Sequence, residues 1–438
     1  RFTYNNHSST GYRENGFFQR WNFSFRVDHK FDDGSRFRTY VGSSYEKRGE
    51  FIEWASQNLP TNLFYSWRDQ DRRTRFTTVD AYVMYDKPIS PRFATMFRAS
   101  FISSLFADQY QREGDYYPAQ GTGAEVHFDW LPHPAHSLTF GVEYKTDGGH
   151  TKYIGKRRGY SLAPFIQDEW RVFKTLTITP GVRYDSYQIV GEEFKEEHVN
   201  PKFGVNFSPL KGTTFRFSAG SAFRAASVTE RYISAKLGDL PPIIPNEDLK
   251  AETSLSYDFG IFQQLTTDWY VDGAIFQNEY NNFIDIVEEM DHHFNVFAQF
   301  RNITEARIRG IELSTKASFW RNRIGIQANC TWMDAINLTK NQVMDYRPKF
   351  IGVITPSLKF GPAEFQMDYR YTSKFETVKL YDYDVRAPQK VANLRLSYKL
   401  GKLSLMLSMN NAFNYQYIQL ERFLGEIRHV SASMMWEW

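Results

Sequence analysis

The sequence predicts an all-β fold, a large antiparallel transmembrane β-barrel. Three observations predict it. Apolar residues alternate with polar ones over segments long enough to cross a bilayer, helical patterning is nearly absent, and tight turns exchange regularly with long polar segments. The alternation begins at Trp21, Phe23, Phe25 and Val27, which are separated by Asn22, Ser24 and Arg26. Phe93, Thr95, Phe97, Ala99 and Phe101 enclose Met96, Arg98 and Ser100. Phe215, Phe217 and Ala219 follow the same rule, as do Leu394, Leu396, Tyr398 and Leu400, and then Leu403, Leu405, Leu407 and Met409. A period of two places one face in an apolar medium and the other in a polar one. Soluble strands cluster near five or six residues. A tilted membrane strand needs about 9–11, and these alternations reach that range. No self-similarity at the roughly 40–50 residue period of a propeller is present.

The tight connections are Asp32–Ser35, Lys87–Pro91, Pro132–Ala135, Phe173–Thr175, Pro209–Gly212, Trp320–Asn322 and Leu400–Lys402. They use the Gly, Pro, Asp and Asn chemistry of hairpins. Longer polar segments lie between them, at 49–73, 108–120, 148–158, 189–198, 225–250, 281–297, 335–345, 375–386 and 414–426. Short turns at one end and long loops at the other describe an outer-membrane barrel. The rhythm yields about nineteen strands, or twenty if the first dozen residues hold one. Barrels of that size enclose a channel or a plugged lumen. The last strand carries Val430, Ala432, Met434, Trp436 and Trp438 on its lipid-facing phase.

Composition narrows the function. Among 438 residues, 53 Lys and Arg nearly balance 50 Asp and Glu, a net charge of +3. That balance excludes a nucleic-acid-binding surface spread over the whole molecule and leaves local basic patches open. Aromatic residues make up 17% of the chain, which excludes disorder. No run of about 18 apolar residues exists; the uncharged stretch Leu403–Leu420 is interrupted by Ser404, Ser408, Asn410, Asn411 and Asn414. Cys330 is the one cysteine, so an intrachain disulfide and a zinc–cysteine site are excluded. It reads as a small buried apolar residue. No GxSxG, HExxH or glycine-rich phosphate loop is present, so no enzyme is predicted and no cofactor is expected.

Five motifs, in order, carry a family resemblance. Gln167-Asp168-Glu169-Trp170 leads into Leu176 through Gly181-Val182-Arg183-Tyr184-Asp185. Ala222-Phe223-Arg224-Ala225-Ala226-Ser227 is followed by Asn246-Glu247-Asp248-Leu249-Lys250-Ala251-Glu252. Phe300-Arg301-Asn302 precedes Gly310-Ile311-Glu312, and Asn411-Ala412-Phe413-Asn414 closes with Tyr417. From about residue 160 onward the chain resembles the barrel domain of TonB-dependent outer-membrane receptors. Ala226, Glu247 and Ala251 stand where that family usually has proline. The resemblance implies a 22-stranded barrel in which the segment 225–250 follows strand 13. On that count Trp21–Phe31 is strand 4, residues 1–438 are a C-terminal barrel portion, and the first two or three strands and the plug lie outside this chain. It further implies a bacterial outer-membrane location, with lipid and lipopolysaccharide around the barrel. Function would be import of a scarce ligand, a ferric siderophore or similar metal chelate, energised by TonB and its inner-membrane partners through the plug. The other reading is a barrel that docks a surface protein partner such as a lipoprotein.

Charged residues on the polar phase, namely Arg183, Asp185, Arg216, Arg224, Glu312 and Arg395, are expected to line the lumen in ion pairs. For the ligand, the segment 51–75 combines Trp54 and Trp67 with Arg68, Arg72, Arg73 and Arg75. Aromatic faces stack flat ligands and guanidinium forks grip carboxylates. Arg157 and Arg158 add charge at the same end, and Tyr116, Tyr117, Tyr381 and Tyr383 add phenols. Acidic loops, Glu192–Glu197 and Glu288–Asp291, oppose an anion. The pair His292-His293 reads as solvated, because adjacent residues on a strand point opposite ways. The segment 227–245, where haem-importing members usually place a histidine, has none.

Overall fold

A computed structural model describes residues 1–51, 54–56, 58–63, 72–108, 118–151, 153–235, 241–378, 385–420 and 423–437. Among them, one sheet contains 22 strands, all antiparallel but for the pairing of one two-residue segment. Two of these are the two-residue segments Ile243–Ile244 and Gln342–Val343. The other twenty are long and pair in chain order, from Phe2–Ser9 against Phe18–Lys30 to Leu403–Asn410 against His429–Trp436. The strand Phe2–Ser9 within the first dozen residues brings the expected nineteen to twenty.

The register joins the alternating apolar residues into continuous outward rows. Phe2, Phe25, Val41, Ala81 and Phe101 are cross-strand partners in sequence. So are Phe217, Phe259, Ile275, Ile311 and Trp332, and Leu396, Leu407 and Ala432. Most of these side chains remain exposed on the protein, as a surface solvated by lipid must be. Cys330 lies in this phase, half-buried between Leu313 and Gly352, and not in a packed core.

The opposite phase is charged and mostly paired; Glu312 lies on it opposite Ala274 and Thr331 and, among the described residues, forms no ion pair. Arg98 meets Glu125 at 2.6 Å, Arg183 meets Glu143 and Asp185 at 2.8 Å each, and Arg216 grips Asp272 at 2.6 Å. Arg395 donates to Gln366 at 3.2 Å. A lumen wall of this kind gains specificity from paired neighbours more than stability, because half-exposed pairs contribute about 0–1 kcal/mol each.

Most expected tight turns form. Strand Arg73–Ser90 runs through Pro88, so its turn is Pro91-Arg92 and not Lys87–Pro91. Two further turns, Thr267-Asp268 and Gly361-Pro362, complete the short-turn end. Several segments expected as loops are strand. Trp269–Met290 and Val296–Phe319 have 22 and 24 residues. At about 3.3 Å per residue they extend about 70–80 Å, well beyond the bilayer. The polar stretch 281–297 is therefore a projecting hairpin whose turn is only 291–295. His136–Thr151 and Gly155–Phe173 likewise absorb most of 148–158 between them. Outside lipid the apolar alternation is no longer required, so the periodic signal fades while backbone pairing continues.

The apolar clusters of the described residues all lie at the long-loop end. One joins the two margins of the sheet. Phe51 and Leu424 pack with Tyr12 and Phe423, the Tyr12 hydroxyl donates to the Leu424 carbonyl at 2.9 Å, and Arg13 lies 3.8 Å from the Phe423 ring centre. Among the described residues the two edge strands do not pair with each other.

Candidate functional site: the extracellular mouth

Strand Thr213–Arg224 delivers Arg224 to the mouth. Its Nε donates to Glu252 at 2.6 Å and its Nη1 to Glu230 at 2.9 and 3.0 Å, tying the start of the 225–250 segment to its end. Next comes a five-residue helix, Val228–Tyr232. Ser227 caps it, accepting from the Glu230 backbone N–H at 3.2 Å while Glu230 accepts from the Ser227 N–H at 2.8 Å. This reciprocal box was legible as Ser-x-x-Glu, although one turn is too short for a periodic helical signal. Arg231, 4% exposed, donates to the carbonyls of Leu249 (2.6 Å) and Glu247 and lies 3.7 Å from the Phe194 ring centre.

The family motifs acquire physical roles here. Asn246, which follows Pro245, is held on both sides by hydrogen bonds. Its N–H donates to the Arg231 carbonyl at 2.9 Å and its side chain to the Phe300 carbonyl at 2.8 Å. Asn302 accepts from the Lys250 N–H at 2.8 Å and donates to the carbonyls of Lys250 and Asn282. Ala226, Leu249 and Ile284 pack beneath, against Phe300. Side-chain hydrogen bonds thus hold the loop at positions where the usual prolines are replaced by Ala226, Glu247 and Ala251.

Burial alone would raise the Glu230 carboxyl, but hydrogen bonds from Arg224 and from the Ser227 N–H and hydroxyl outweigh it and hold its pKa below the ordinary value. A depressed acid stabilises the fold above its unfolded pKa and loses that contribution as pH falls through its folded pKa. Loop order at 225–232 should therefore hold at neutral pH and decline in acid below the normal glutamate range. Glu230→Gln should remove this pH step. Amide exchange against pH reads both; a step that persists in the variant assigns it to another group.

The segment then crosses to the projecting hairpin. Ile243 and Ile244 pair in parallel with Ala298 and Gln299. The hairpin turn is organised by Asp291, which accepts from the N–H groups of His293 and Asn295 at 2.8 and 2.9 Å. His292 and His293 are exposed there. Opposite stands residue 346, a tyrosine at φ +58°. That left-handed conformation is costly for a bulky side chain. It is held by the Tyr346 N–H to the Thr377 carbonyl at 3.1 Å and by an edge contact with Phe375 at 6.0 Å. These pieces enclose a cavity of about 680 Å³ lined by Ile243, Phe283, Asp285, Lys340, Tyr346 and Arg347 among others. Its volume falls within the usual range of small-molecule pockets, about 300–1,000 Å³.

The residues expected to bind ligand are distributed differently. Trp67, Arg68, Tyr116, Tyr117, Tyr381 and Tyr383 lie outside the described residues, as does Trp438. For Trp54 only the backbone is described, in the short strand Trp54–Ser56. Arg72 stands just before the strand Arg73–Ser90. Arg73 and Arg75 are on that strand, not in a loop, and share the outward phase of Val83. Arg157 lies 4.6 Å from the Tyr232 ring centre and 3.8 Å from Glu192, so a basic and an acidic loop that seemed opposed neutralise each other. Arg158 is exposed on the outward phase. None of the described members lines the cavity. Sequence reading passed over Lys340, Tyr346 and Arg347 because only the fold brings 337–347 beside 283–288. The local signal was Asp345-Tyr346-Arg347, at and just beyond the end of the segment 335–345 read only as a loop.

A barrel with an apolar outer belt, a charge-lined lumen and a buttressed long-loop end defines a bacterial outer-membrane β-barrel receptor. Residues 1–412 match the model of the TonB dependent receptor-like β-barrel family, and the chain belongs to that family, whose members are receptors and transporters and not enzymes. It superposes on the FrpB iron transporter of Neisseria meningitidis with a TM-score of 0.81 at 14% identity, over 99% of this chain and 77% of that one. By sequence it is 32% identical over 127 residues to the probable hemoglobin and hemoglobin-haptoglobin-binding protein 1 of Haemophilus influenzae, covering 27% of this chain and 12% of that protein. It is 23% identical over 332 residues to the ferric enterobactin receptor of Pseudomonas aeruginosa, covering 65% and 42%. The chain thus spans less than half the length of either relative.

Proposed function

We propose that this barrel imports an iron chelate across the outer membrane, capturing it at the extracellular mouth and passing it inward with TonB-coupled energy through a plug carried by the whole protein. The buttressed 680 Å³ cavity carries this reading. It is preorganised by Arg224, Arg231, Asn246 and Asn302, so little ordering remains to be done on binding. Lys340, Arg347, Asp285 and Glu288 all line it, a polarity suited to a chelate with acidic and donor groups, while Tyr346 and Phe283 offer aromatic faces. We assign first capture to the surrounding loops, with Trp54, Trp67, Arg68, Arg72, Tyr116, Tyr117, Arg157, Arg158, Tyr381 and Tyr383. The test is titration with a ferric catecholate, a ferric hydroxamate and haemin. The double variant Tyr346→Ala, Arg347→Gln should weaken one of them about tenfold, the equivalent of about 1.4 kcal/mol. Unchanged affinity for all three would remove the cavity from the binding site.

Haem is a second ligand, favoured by the names of the relatives and by His292 and His293 at the hairpin tip. Haemin should then show a Soret shift on binding that is lost in His292→Ala, His293→Ala. A shift that survives in the variant rejects this pair as iron ligands.

A further inference from the structure

The lining of the mouth cavity is sorted by exposure. Its charged members Glu288, Lys340 and Arg347 are exposed. Its aliphatic members are not. Ile243, Ile286, Val287, Ile303, Val343 and Met344 are half-buried, and Ile284 and Ala298 are buried at 7% and 6% exposure. Asp285 and Asp345 are half-buried exceptions, and the Asp285 carboxylate accepts the Ile286 N–H at 2.8 Å. The cavity therefore has an aliphatic floor beneath a charged rim.

Protein interiors close-pack, yet this floor is held open. Backbone pairing fixes its pieces, Ile243 against Ala298, Ala298 against Glu288 and Val343 against Ile336. Ile284 is anchored below by Ala226 and Leu249. Collapse onto the space would break these contacts, so the floor gains most when an apolar group from outside covers it. At the rim, no ion pair joins Lys340 or Arg347 to a carboxylate among the described residues. Two uncompensated cations suit an anionic head. No histidine or cysteine lines the cavity, so the floor offers iron neither imidazole nor thiolate. The metal stays with its chelator, above the floor.

We propose that the ligand of this cavity is amphiphilic, an anionic iron chelate carrying an aliphatic acyl arm. The chelating head sits at Lys340 and Arg347, and the arm lies on the floor. This inference rests on the chelate reading above and adds the chemical class of the ligand.

The experiment uses the purified protein in lipid nanodiscs, with empty discs as the blank for partition into lipid. The probes are ferric complexes of synthetic catecholates and hydroxamates, each with a linear acyl arm of two or six carbons. A buried methylene is worth about fourfold in affinity, so the four added ones should tighten binding about 200-fold with the head that binds. In the same-shape double variant Val343→Thr, Met344→Gln, this gain should fall at least about tenfold, because a hydroxyl and an amide then lie dry beside the arm. Ala298→Leu, which fills the floor, should lose it too. Heat-modifiable migration like that of wild type shows that each variant is folded. Equal affinity for short and long arms overturns the amphiphilic ligand and leaves the chelate reading standing. A gain undiminished in both variants also overturns it, since the arm then lies elsewhere. Binding of no probe with either head overturns the chelate reading and this one together.

Discussion

Ile275→Arg should cost about 2–4 kcal/mol of barrel stability, the price of an arginine facing lipid near the bilayer midplane. Ile275 sits seven residues above the Thr267-Asp268 turn, 55% exposed, between Phe259 and Ile311 in the outward row. Ser314→Arg, on the neighbouring strand and opposite Asp272, should cost much less. Its side chain enters the lumen, where Asp272 already accepts Arg216 and can accept a second cation. Denaturant unfolding in lipid vesicles, followed by loss of heat-modifiable migration, measures both. Equal costs would mean that the two phases do not differ in solvent, and the outward row would not be a lipid face.

Arg231→Met should release the mouth. Methionine keeps the apolar stem against Phe194 and Tyr232 but removes both donors, leaving the buried carbonyl of Leu249 and the partly buried one of Glu247 without partners. Each unsatisfied group costs about 1–3 kcal/mol, so local opening of 225–251 should become easier by about 2–5 kcal/mol. Amide exchange there should accelerate by about 1.5 to 3.5 orders of magnitude while the strands Thr213–Arg224 and Glu252–Thr266 keep their protection. Uniform acceleration would show that the loop and barrel open together. No acceleration would show that Ala226, Leu249 and Ile284 alone hold the loop.

Much of this architecture follows from local pattern. Trp21 to Val27, Phe93 to Phe101 and Leu394 to Leu400 announce strands because lipid on one side and water on the other impose a period of two. Asp32–Ser35 and Leu400–Lys402 announce turns because Gly34 and Gly401, at φ +82° and +58°, adopt a left-handed backbone that other residues resist. Ser227 and Glu230 carried a capping signal, but the helix is a single turn that left no periodic trace, and none was predicted there.

What local pattern could not supply was partnership across the chain. The lumen charges were legible as lumen-facing, yet only the register matched Arg183 with Glu143, forty residues away. The hairpin 281–297 read as a loop because a polar strand in water needs no alternation, and its order comes from the backbone of its neighbour. Arg73 and Arg75 read as part of a ligand-binding loop because their type and spacing suited an anion. Their direction depends on a register continuous with Val83, and a shift of one residue would have turned them inward. The sequence by itself determined the class, the strands and the polarity of the wall, since each depends on a residue and its nearest neighbours in one solvent. Tertiary structure alone decided the mouth, because Ile243, Phe283, Tyr346 and Thr377 meet only when four distant segments are brought to one end of the sheet.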